Sequence, residues 1–146
     1  MVEGQFCRTI TVMPVVDIAA ACAWYREALG LETHYLHEGE SPGEITNYAV
    51  LARDGVQVHL ILDEPPPHAQ AWTQAGTGYL YLRVRDVQAV YEAVVARGME
   101  PTRGIATEGW GARAFLLTDP SGNSVRVEEQ PMQRSSPDEC QHGRKH

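Results

Sequence analysis

The chain has 146 residues, of which 43% are hydrophobic and 21% charged, the composition of an ordinary soluble globular protein of about one domain. Its net charge of −7 and pI near 5.3 argue against nucleic acid or an anionic membrane as a partner. No apolar run approaches the roughly 18 residues of a membrane span, and the N-terminus lacks the pattern of a signal peptide, so the expected location is the cytoplasm.

The first predicted elements are a strand that ends near Val15 and a helix that follows it. The stretch RTITVMPVV is rich in β-branched residues, and Asp17 stands where a helix N-cap belongs. A helix of about twelve residues is predicted from there to Gly30, which is typical of a helix C-cap. Its apolar side chains fall on one helical face, at Ile18, Cys22, Tyr25 and Leu29.

A second copy of this pattern follows in the second half of the chain, at a constant interval. The run GYLYLRV predicts a strand, Asp86 stands where Asp17 stands in the first copy, and a second helix is predicted up to Gly98. The apolar face of this helix consists of Val87, Tyr91, Val94 and Val95. Downstream, GVQVHLILDEP matches NSVRVEEQP, and the interval from Val56 to Val125 equals that from Asp17 to Asp86. Each copy therefore predicts the element order β-α-β-β-β.

The two copies are expected to form one α+β domain over residues 1–130. Its modules are residues 7–63 and 76–130, and a linker rich in proline, glycine and alanine joins them over residues 64–75. A module of about 55 residues cannot easily bury its own sheet face, so the two should pack together around a cleft, with the helices on the outer face. Residues 131–146 contain two prolines and almost no apolar side chain, which predicts a disordered tail.

These motifs resemble those of the glyoxalase, bleomycin-resistance and extradiol-dioxygenase superfamily, also called the vicinal oxygen chelate superfamily. The segments that carry the resemblance are DIAAACAWYREALG and TDPSGNSVRVEEQ, and it covers residues 8–130. It implies tandem βαβββ modules that form a curved mixed sheet with a cleft. It does not settle the function, because the superfamily includes lyases, isomerases, dioxygenases and drug-binding proteins.

The resemblance also locates four positions at which metal-dependent members carry His, Gln or Glu ligands. In this chain they hold Ile10, Gln57, Tyr79 and Arg126. Isoleucine offers no donor atom, a tyrosine phenol has a pKa of about 10, and a guanidinium repels a metal ion. We therefore expect neither a metal nor another cofactor. His59 lies two residues from Gln57 on the same strand face, and a small shift in register would place it in a ligand position.

Arg126 raises a separate question, because Val125 and Val127 mark the opposite face of its strand. The sequence leaves two roles open for it: a polar residue of the cleft or a cross-strand salt-bridge partner. No GxSxG motif, dinucleotide-binding motif or phosphate loop supplies an alternative reactive centre.

Aromatic side chains near loops indicate a ligand-binding cleft. Trp110 lies between Gly109 and Gly111, and a flat ligand stacked on such a ring gains about 0.5–1.5 kcal/mol beyond burial. On physical grounds alone, Trp110 could equally well plug a core edge or a dimer interface. Tyr35 follows the first helix, and Trp72 lies in the predicted linker.

Within the superfamily, the chain is most similar to bleomycin-type resistance proteins, which carry W-G-R-x-F shortly before D-P-x-G-N. Here WGARAF spans Trp110 to Phe115, with one extra residue before the arginine. The resemblance implies that Trp110 and Tyr35 hold a flat drug in grooves of a homodimer whose first strands are exchanged. It also implies an acidic groove that attracts a cationic ligand, with Glu38, Glu40 and Glu108 as the carboxylates.

The sequence thus predicts a metal-free protein that confers antibiotic resistance by sequestering a bleomycin-like or other flat natural product, without bond chemistry. The predicted ligand-binding residues are Tyr35, Glu38, Glu40, Gln57, His59, Trp72, Tyr79, Trp110, Phe115 and Arg126. Two alternatives stay open. One is a metal-dependent lyase, isomerase or dioxygenase with a divergent site that uses His59, and the other is an accessory protein that carries a pathway intermediate.

Overall fold

The structure, a computed structural model, describes residues 4–37, 46–63 and 74–130. The first module contains β1 (Thr11–Val15), α1 (Ile18–Leu29), β2 (Glu32–His37), β3 (Tyr48–Arg53) and β4 (Val56–Leu62). The second contains β5 (Tyr79–Val84), α2 (Val87–Ala96), β6 (Arg103–Thr107), β7 (Arg113–Thr118) and β8 (Ser124–Glu129). The predicted α+β class and tandem βαβββ order are confirmed. The predicted tail and most of the predicted linker lie outside the described residues.

Each module forms a four-stranded mixed sheet. The strand orders are β1-β4-β3-β2 and β5-β8-β7-β6, and the first strand of each module runs parallel to the last. Helix α1 packs on the first sheet and α2 on the second, and β1 lies beside β5 at the junction of the modules. The side of each sheet that faces away from its helix is here called the open face.

Both helices begin at the predicted residues because an aspartate satisfies their first free backbone N–H groups. The side chains of Asp17 and Asp86 each accept a hydrogen bond from the amide three residues further on, at 2.9 and 3.0 Å. Helix α1 ends at Gly30 in the left-handed conformation, and α2 ends at Arg97 with Gly98 left-handed directly after it. Neither helix of the described chain is long and apolar enough to cross a membrane.

The buried faces of the helices follow the predicted periodicity with one exception. Ile18, Tyr25 and Leu29 of α1 are buried against the sheet. In α2, Val94 is fully buried but Val95 is 45% exposed. Val95 was expected on the apolar face, and it lies outside that face because one residue along a helix turns the side chain by about 100°.

The core lies between the helices and the sheets. Its strand residues include Met13, Val15, Leu51, Val58, Leu60, Leu80, Phe115, Leu117, Val125 and Val127. Because side chains alternate along a strand, the residues between them point to the open face. In β8 this places Arg126 and Glu128 opposite to Val125 and Val127.

The turn at residues 119–123 fastens the second module to the first. Asp119 accepts a hydrogen bond from the hydroxyl of Tyr25 in α1, at 2.7 Å. The side-chain amide of Asn123 donates to the backbone oxygen of Pro14 in β1, also at 2.7 Å, and to Asp119 at 3.1 Å. Its amide oxygen accepts from the backbone N–H groups of residues 76 and 78. The D-P-S-G-N turn, residues 119–123, therefore joins the two modules through hydrogen bonds of Asp119 and Asn123 to the first module.

The internal repeat is less regular than the sequence indicated. At the constant interval of the repeat, Tyr81 corresponds to Val12, and Arg126 corresponds to Gln57. In the structure, Val12 pairs with His59 whereas Tyr81 pairs with Arg126, because the chain between the first and last strands is two residues shorter in the second module. The structural counterpart of Arg126 is therefore His59. The predicted counterpart, Gln57, lies two residues before it on the same strand.

Candidate functional site

The open faces of β4 and β8 carry most of the polar side chains predicted for the site. His59 and Arg126 lie on these faces at equivalent positions on either side of the β1–β5 junction. Each has its own set of hydrogen-bond partners.

Arg126 is held at the centre of a chain of alternating charges. Its Nε and Nη2 donate to Oε1 of Glu128 at 3.1 and 2.8 Å, and Nη2 donates to Oε2 of Glu108 at 2.7 Å. Arg103 donates to the same Glu108 oxygen at 3.1 Å, and Arg83 lies 3.6 Å from Glu128. Arg126 is only 8% exposed. It is thus both a residue of the open face and an ion-pair partner, but its partners lie on its own strand and in the connection between β6 and β7, and not on a neighbouring strand as one of the two predicted roles required.

The arginines shift the ionisation of both carboxylates. Hydrogen bonds from Arg126 and Arg103 lower the pKa of Glu108 below its ordinary value. Burial by itself would raise the pKa of Glu128, but hydrogen bonds from Tyr81 and Arg126, together with the charges of Arg126 and Arg83, outweigh it and lower the pKa. Both groups are therefore anionic at neutral pH. Glu108 was expected to attract a cationic ligand, and it is instead neutralised by two arginines.

Two aromatic rings flank the Arg126 guanidinium. Its central carbon lies 5.5 Å from the ring centre of Tyr81 and 5.8 Å from that of Trp110, both within the range of a cation–π contact. The Tyr81 hydroxyl donates to Glu128 at 2.6 Å, and Tyr79 meets Tyr81 edge to face with ring centres 6.5 Å apart. We call Arg126, Tyr79, Tyr81 and Trp110 the Arg126 platform. Its rings are about half exposed or more, with Trp110 at 69%.

Trp110 lies at the tip of the connection between β6 and β7. The connection is closed by backbone hydrogen bonds between Glu108 and Ala112 and between Glu108 and Gly111, and Gly111 has a φ of 97° that favours glycine. Among the described residues, the Trp110 side chain has no ring contact or hydrogen bond apart from its contact with Arg126. Trp110, with 69% of its surface exposed, therefore does not plug a core edge of the described chain.

On the first module, His59 is engaged through both ring nitrogens. Nδ1 is hydrogen-bonded to the Tyr48 hydroxyl, and Nε2 lies 2.9 Å from Oε1 of Gln57. Because an amide oxygen can only accept, Nε2 donates to Gln57 and Nδ1 accepts from Tyr48. Burial raises the pKa of the Tyr48 phenol, which keeps it protonated as a donor. These three side chains form the Tyr48–His59–Gln57 chain.

The four positions predicted to correspond to the metal ligands of the superfamily do not fit a divalent cation in this chain. His59, the structural counterpart of Arg126, does not offer a free nitrogen either, because both of its ring nitrogens are hydrogen-bonded. Ile10 has no donor, Arg126 is a cation in two ion pairs, and the oxygen of Gln57 already accepts from His59. The described residues contain no group of three or more His, Cys, Asp or Glu side chains that could hold a metal ion. These residues therefore do not provide the three or more ligands that a catalytic metal ion needs.

The remaining predicted site residues fall into three groups. Tyr35 pairs with Val50 on the open face of the first sheet and is 52% exposed. Phe115 was expected in the cleft, but it is fully buried in the core, where it packs edge to face on Tyr91 of α2. It points to the helix because it pairs with the core residue Val127. Outside the described residues lie Glu38, Glu40 and Trp72.

Three residues of the site, Tyr48, Tyr81 and Glu128, were not among the predicted ligand-binding residues. Tyr81 and Glu128 follow Tyr79 and Arg126 by two positions, so the alternation of strand side chains could have placed them on the same face. Tyr48 reaches His59 from the neighbouring strand, and that contact depends on the register between β3 and β4. Asp54 and Gly55 form the two-residue turn between these strands, and such a turn fixes the register, so the contact was predictable from the sequence.

Solved structures share this architecture. The chain is 29% identical to a glyoxalase/bleomycin resistance protein from Catenulispora acidiphila, with a TM-score of 0.61 over 86% of this chain and 100% of the other. TioX from Micromonospora has a TM-score of 0.71 at 16% identity, over 86% of this chain and 100% of the other. A lactoylglutathione lyase from Agrobacterium tumefaciens has a TM-score of 0.65 at 20% identity, over 87% and 96% of the two chains. The last two likenesses show the fold alone.

No curated protein matches the chain. The sequence model of the Glyoxalase/Bleomycin resistance protein/Dioxygenase superfamily matches residues 9–127, which is most of the chain. That match agrees with the tandem βαβββ architecture and with the solved structures. The chain therefore belongs to the glyoxalase/bleomycin resistance protein/dioxygenase superfamily.

Proposed function

We propose that this protein binds a flat aromatic natural product against its open faces and confers antibiotic resistance by sequestering it, without making or breaking bonds. The observation that carries the proposal is the Arg126 platform, where the ring of Trp110 is 69% exposed while one of its contacts is fixed by a buried arginine. A large exposed ring is suited to stacking, because a flat ligand that covers it removes apolar surface from water.

The chemistry of the described polar groups supports binding rather than catalysis. The guanidinium of Arg126 is committed to two carboxylates, and both nitrogens of His59 are committed to neighbouring side chains. A general base needs a lone pair directed at the substrate, and His59 supplies none without first breaking a hydrogen bond. Groups fixed in this way orient a ligand and add specificity, as in most small-molecule sites.

The exposed rings can supply a large part of the free energy of ligand binding. Tyr79, Tyr81 and Trp110 are 54%, 47% and 69% exposed. Each stacked or edge-to-face contact contributes about 0.5–1.5 kcal/mol beyond area burial, and burial adds about 25 cal/mol per Å² of apolar surface. A ligand that covers two of these rings would offset much of the entropic cost of its association.

Homodimer formation is part of the proposal. Apolar side chains are exposed at the start of the chain and along β1, with Phe6 at 96%, Val12 at 47% and Val16 at 60%. A second copy of the chain would remove this surface from water, and it would supply the second wall of a groove. Within one chain β1 pairs with its own β4, so the predicted exchange of first strands needs a direct test. Sedimentation equilibrium of the full chain would measure the association.

The first binding experiment is a titration of the protein with metal-free and with copper-loaded bleomycin. Binding is monitored by calorimetry and by tryptophan fluorescence. We expect saturation at one drug per chain, with affinity reduced at least about tenfold in Trp110→Ala because a stacking surface is lost. Val95→Ala is the matched control, since Val95 is an exposed apolar residue on the helix side of the molecule. It should leave the affinity unchanged.

Two results would redirect the assignment. No heat or fluorescence change up to high micromolar drug would remove bleomycin as the ligand and direct the search to other flat natural products. Stoichiometric iron, manganese, nickel or zinc in the tagless protein, lost in His59→Ala, would instead favour a metal-dependent enzyme and contradict sequestration.

A further inference from the structure

The first module presents a hydrogen-bond donor on its open face, at Gln57. Gln57 and His59 lie two residues apart on β4, so both side chains are on this face. The amide oxygen of Gln57 accepts from Nε2 of His59 at 2.9 Å, and Nδ1 of His59 is hydrogen-bonded to the Tyr48 hydroxyl. Because the oxygen of the amide is occupied by His59, its N–H₂ group points away from the imidazole.

The direction of the Tyr48–His59–Gln57 chain follows from its Tyr48 end. Among the described residues, His59 is the one hydrogen-bond partner of the Tyr48 hydroxyl, so the hydroxyl hydrogen is satisfied within this part of the chain only when it is donated to Nδ1. Nδ1 is then an acceptor, and the neutral ring carries its proton on Nε2. Gln57 must therefore offer its oxygen to His59 and not its nitrogen.

The N–H₂ group of Gln57 is available to a ligand. Its nitrogen makes no hydrogen bond to any residue that the structure describes. Gln57 is partly buried, and no buried nitrogen or oxygen atom of the described side chains lacks a partner. The amide nitrogen therefore reaches the surface of the open face.

Apolar side chains surround this donor. Ala52 of β3 pairs with Gln57, and Val12 of β1 and Val50 of β3 pair with His59. Val12 is 47% exposed. A flat ligand that lies on these side chains would exclude water from the N–H₂ group. If such a ligand has no acceptor at this point, the donor loses its water without gaining a partner, which weakens binding.

We propose that Gln57 is a specificity-determining residue, which selects flat ligands that place a carbonyl or similar oxygen acceptor over the open face of the first module. The inference rests on the proposed function, because it specifies which flat natural products the site binds well. A quinone, a lactone, a lactam or an aromatic amide supplies such an acceptor. A site built around a hydrogen-bonding group disfavours the analogue that lacks the matching group, because the polar group of the protein is then left unpaired.

A matched pair of probes tests the preference for an acceptor. 2-Acetylnaphthalene and 2-isopropenylnaphthalene share one ring system, and a methylene group in the second replaces the carbonyl oxygen of the first. Their affinities for the full chain would be measured by equilibrium dialysis, with the protein in excess over the probe. The alkene is the more hydrophobic compound. The quantity compared between protein variants is therefore the ketone-to-alkene affinity ratio, in which that difference cancels.

Two substitutions assign the ratio to the N–H₂ group of Gln57. Gln57→Met removes the donor and keeps an unbranched side chain, so the ratio should fall about three- to tenfold, as for the loss of one hydrogen bond. Gln57→Glu keeps an oxygen for Nε2 of His59 and presents a second oxygen in place of the N–H₂ group, so the ratio should fall at least as far. Circular dichroism must first show that both variants are folded.

Gln88→Met is the matched control. Gln88 is exposed on α2, on the helix side of the molecule, where it donates a hydrogen bond to Glu92. The same chemical change at this position should leave the ketone-to-alkene ratio as it is in the wild-type protein.

The outcomes separate this inference from the proposed function. An equal ratio in the wild-type protein and in both folded Gln57 variants would overturn the inference, as would the absence of binding by either probe at millimolar protein. A neutral His59 ring protonated on Nδ1 would overturn it as well, because the Gln57 amide would then be reversed. The bleomycin titration with Trp110→Ala decides the proposed function separately, since it does not depend on Gln57.

Discussion

The hydroxyl of Tyr25 donates a hydrogen bond to Oδ2 of Asp119 at 2.7 Å, across the junction between the two modules. Tyr25 has no exposed area and Asp119 is 3% exposed. The other oxygen of Asp119 accepts from the backbone N–H groups of Ser121 and Asn123, so hydrogen bonds engage both carboxylate oxygens. The bond therefore connects the helix of one module to the closing turn of the other.

Replacing Tyr25 by phenylalanine should lower the free energy of unfolding by about 1–3 kcal/mol, because it removes one of the donors to a buried charge. Urea unfolding followed by far-UV circular dichroism measures the change. Tyr91→Phe is the matched control, since the Tyr91 hydroxyl makes no hydrogen bond within the described residues and its ring keeps its contact with Phe115. An equal decrease in the free energy of unfolding in the two variants would show that the hydrogen bond to Asp119 does not itself stabilise the protein.

The same bond predicts how stability depends on alkaline pH. Burial, and then the charge and hydrogen bond of Asp119, raise the pKa of Tyr25 far above its ordinary value of about 10. A group whose pKa is raised by folding stabilises the protein below its unfolded pKa and loses that contribution as pH rises above it. The free energy of unfolding should therefore decline above about pH 10. This decline should be smaller in Tyr25→Phe, and an identical decline in both proteins would contradict the assignment.

Substitution of Asn123 is a stronger test of the hydrogen bonds that join the two modules, because its side-chain amide donates to two acceptors. In Asn123→Asp, a carboxylate oxygen would face the backbone oxygen of Pro14 and the carboxylate of Asp119, which now lie 2.7 and 3.1 Å from the amide nitrogen. We expect a loss of about 2–4 kcal/mol at pH 7. The loss should diminish at lower pH, because protonating either carboxyl group restores a donor.

Asn47→Asp serves as the control for this substitution. Asn47 is exposed, so the same chemical change should alter the free energy of unfolding by less than about 0.5 kcal/mol. A large loss in Asn123→Asp that stays constant from pH 7 to pH 4 would mean that the cost is steric rather than electrostatic.

Much of the fold was predictable from local chemistry. Asp17 and Asp86 cap their helices as predicted, because capping depends only on residues within one turn. The placement of Arg126 opposite to Val125 and Val127 likewise follows from the alternation of strand side chains.

The parts that could not be predicted depend on register between strands. Because the second module has two residues fewer between its first and last strands, the structural counterpart of Arg126 is His59 and not Gln57, and no single segment of sequence reveals this. Phe115 was assigned to the cleft from its motif, whereas the face it occupies is decided by its pairing with Val127. The contact of Tyr48 with His59 differs, because the two-residue turn at Asp54 and Gly55 fixes the register on which it depends.

Stability should also depend on acidic pH through the chain of charges around Arg126. Folding lowers the pKa of Glu108 and of Glu128. Such groups stabilise the protein above their unfolded pKa of about 4.3, and the contribution is lost as pH falls through the lower folded values. The free energy of unfolding should therefore decrease from about pH 5 downward. Glu108→Gln should show a shallower decrease, and an unchanged slope would mean that this carboxylate is not paired in solution.

The Tyr48–His59–Gln57 chain predicts a specific tautomer of His59. In its neutral form the ring should carry its proton on Nε2, because the amide oxygen of Gln57 accepts from that nitrogen and the Tyr48 hydroxyl donates to Nδ1. Nitrogen-15 NMR of the imidazole distinguishes the two tautomers directly. Tyr48→Phe removes the donor to Nδ1, so it should alter the Nδ1 resonance while leaving that of the exposed His34 in place. A proton on Nδ1 of His59 in the wild-type protein would contradict this network and would free Nε2 to act on a ligand.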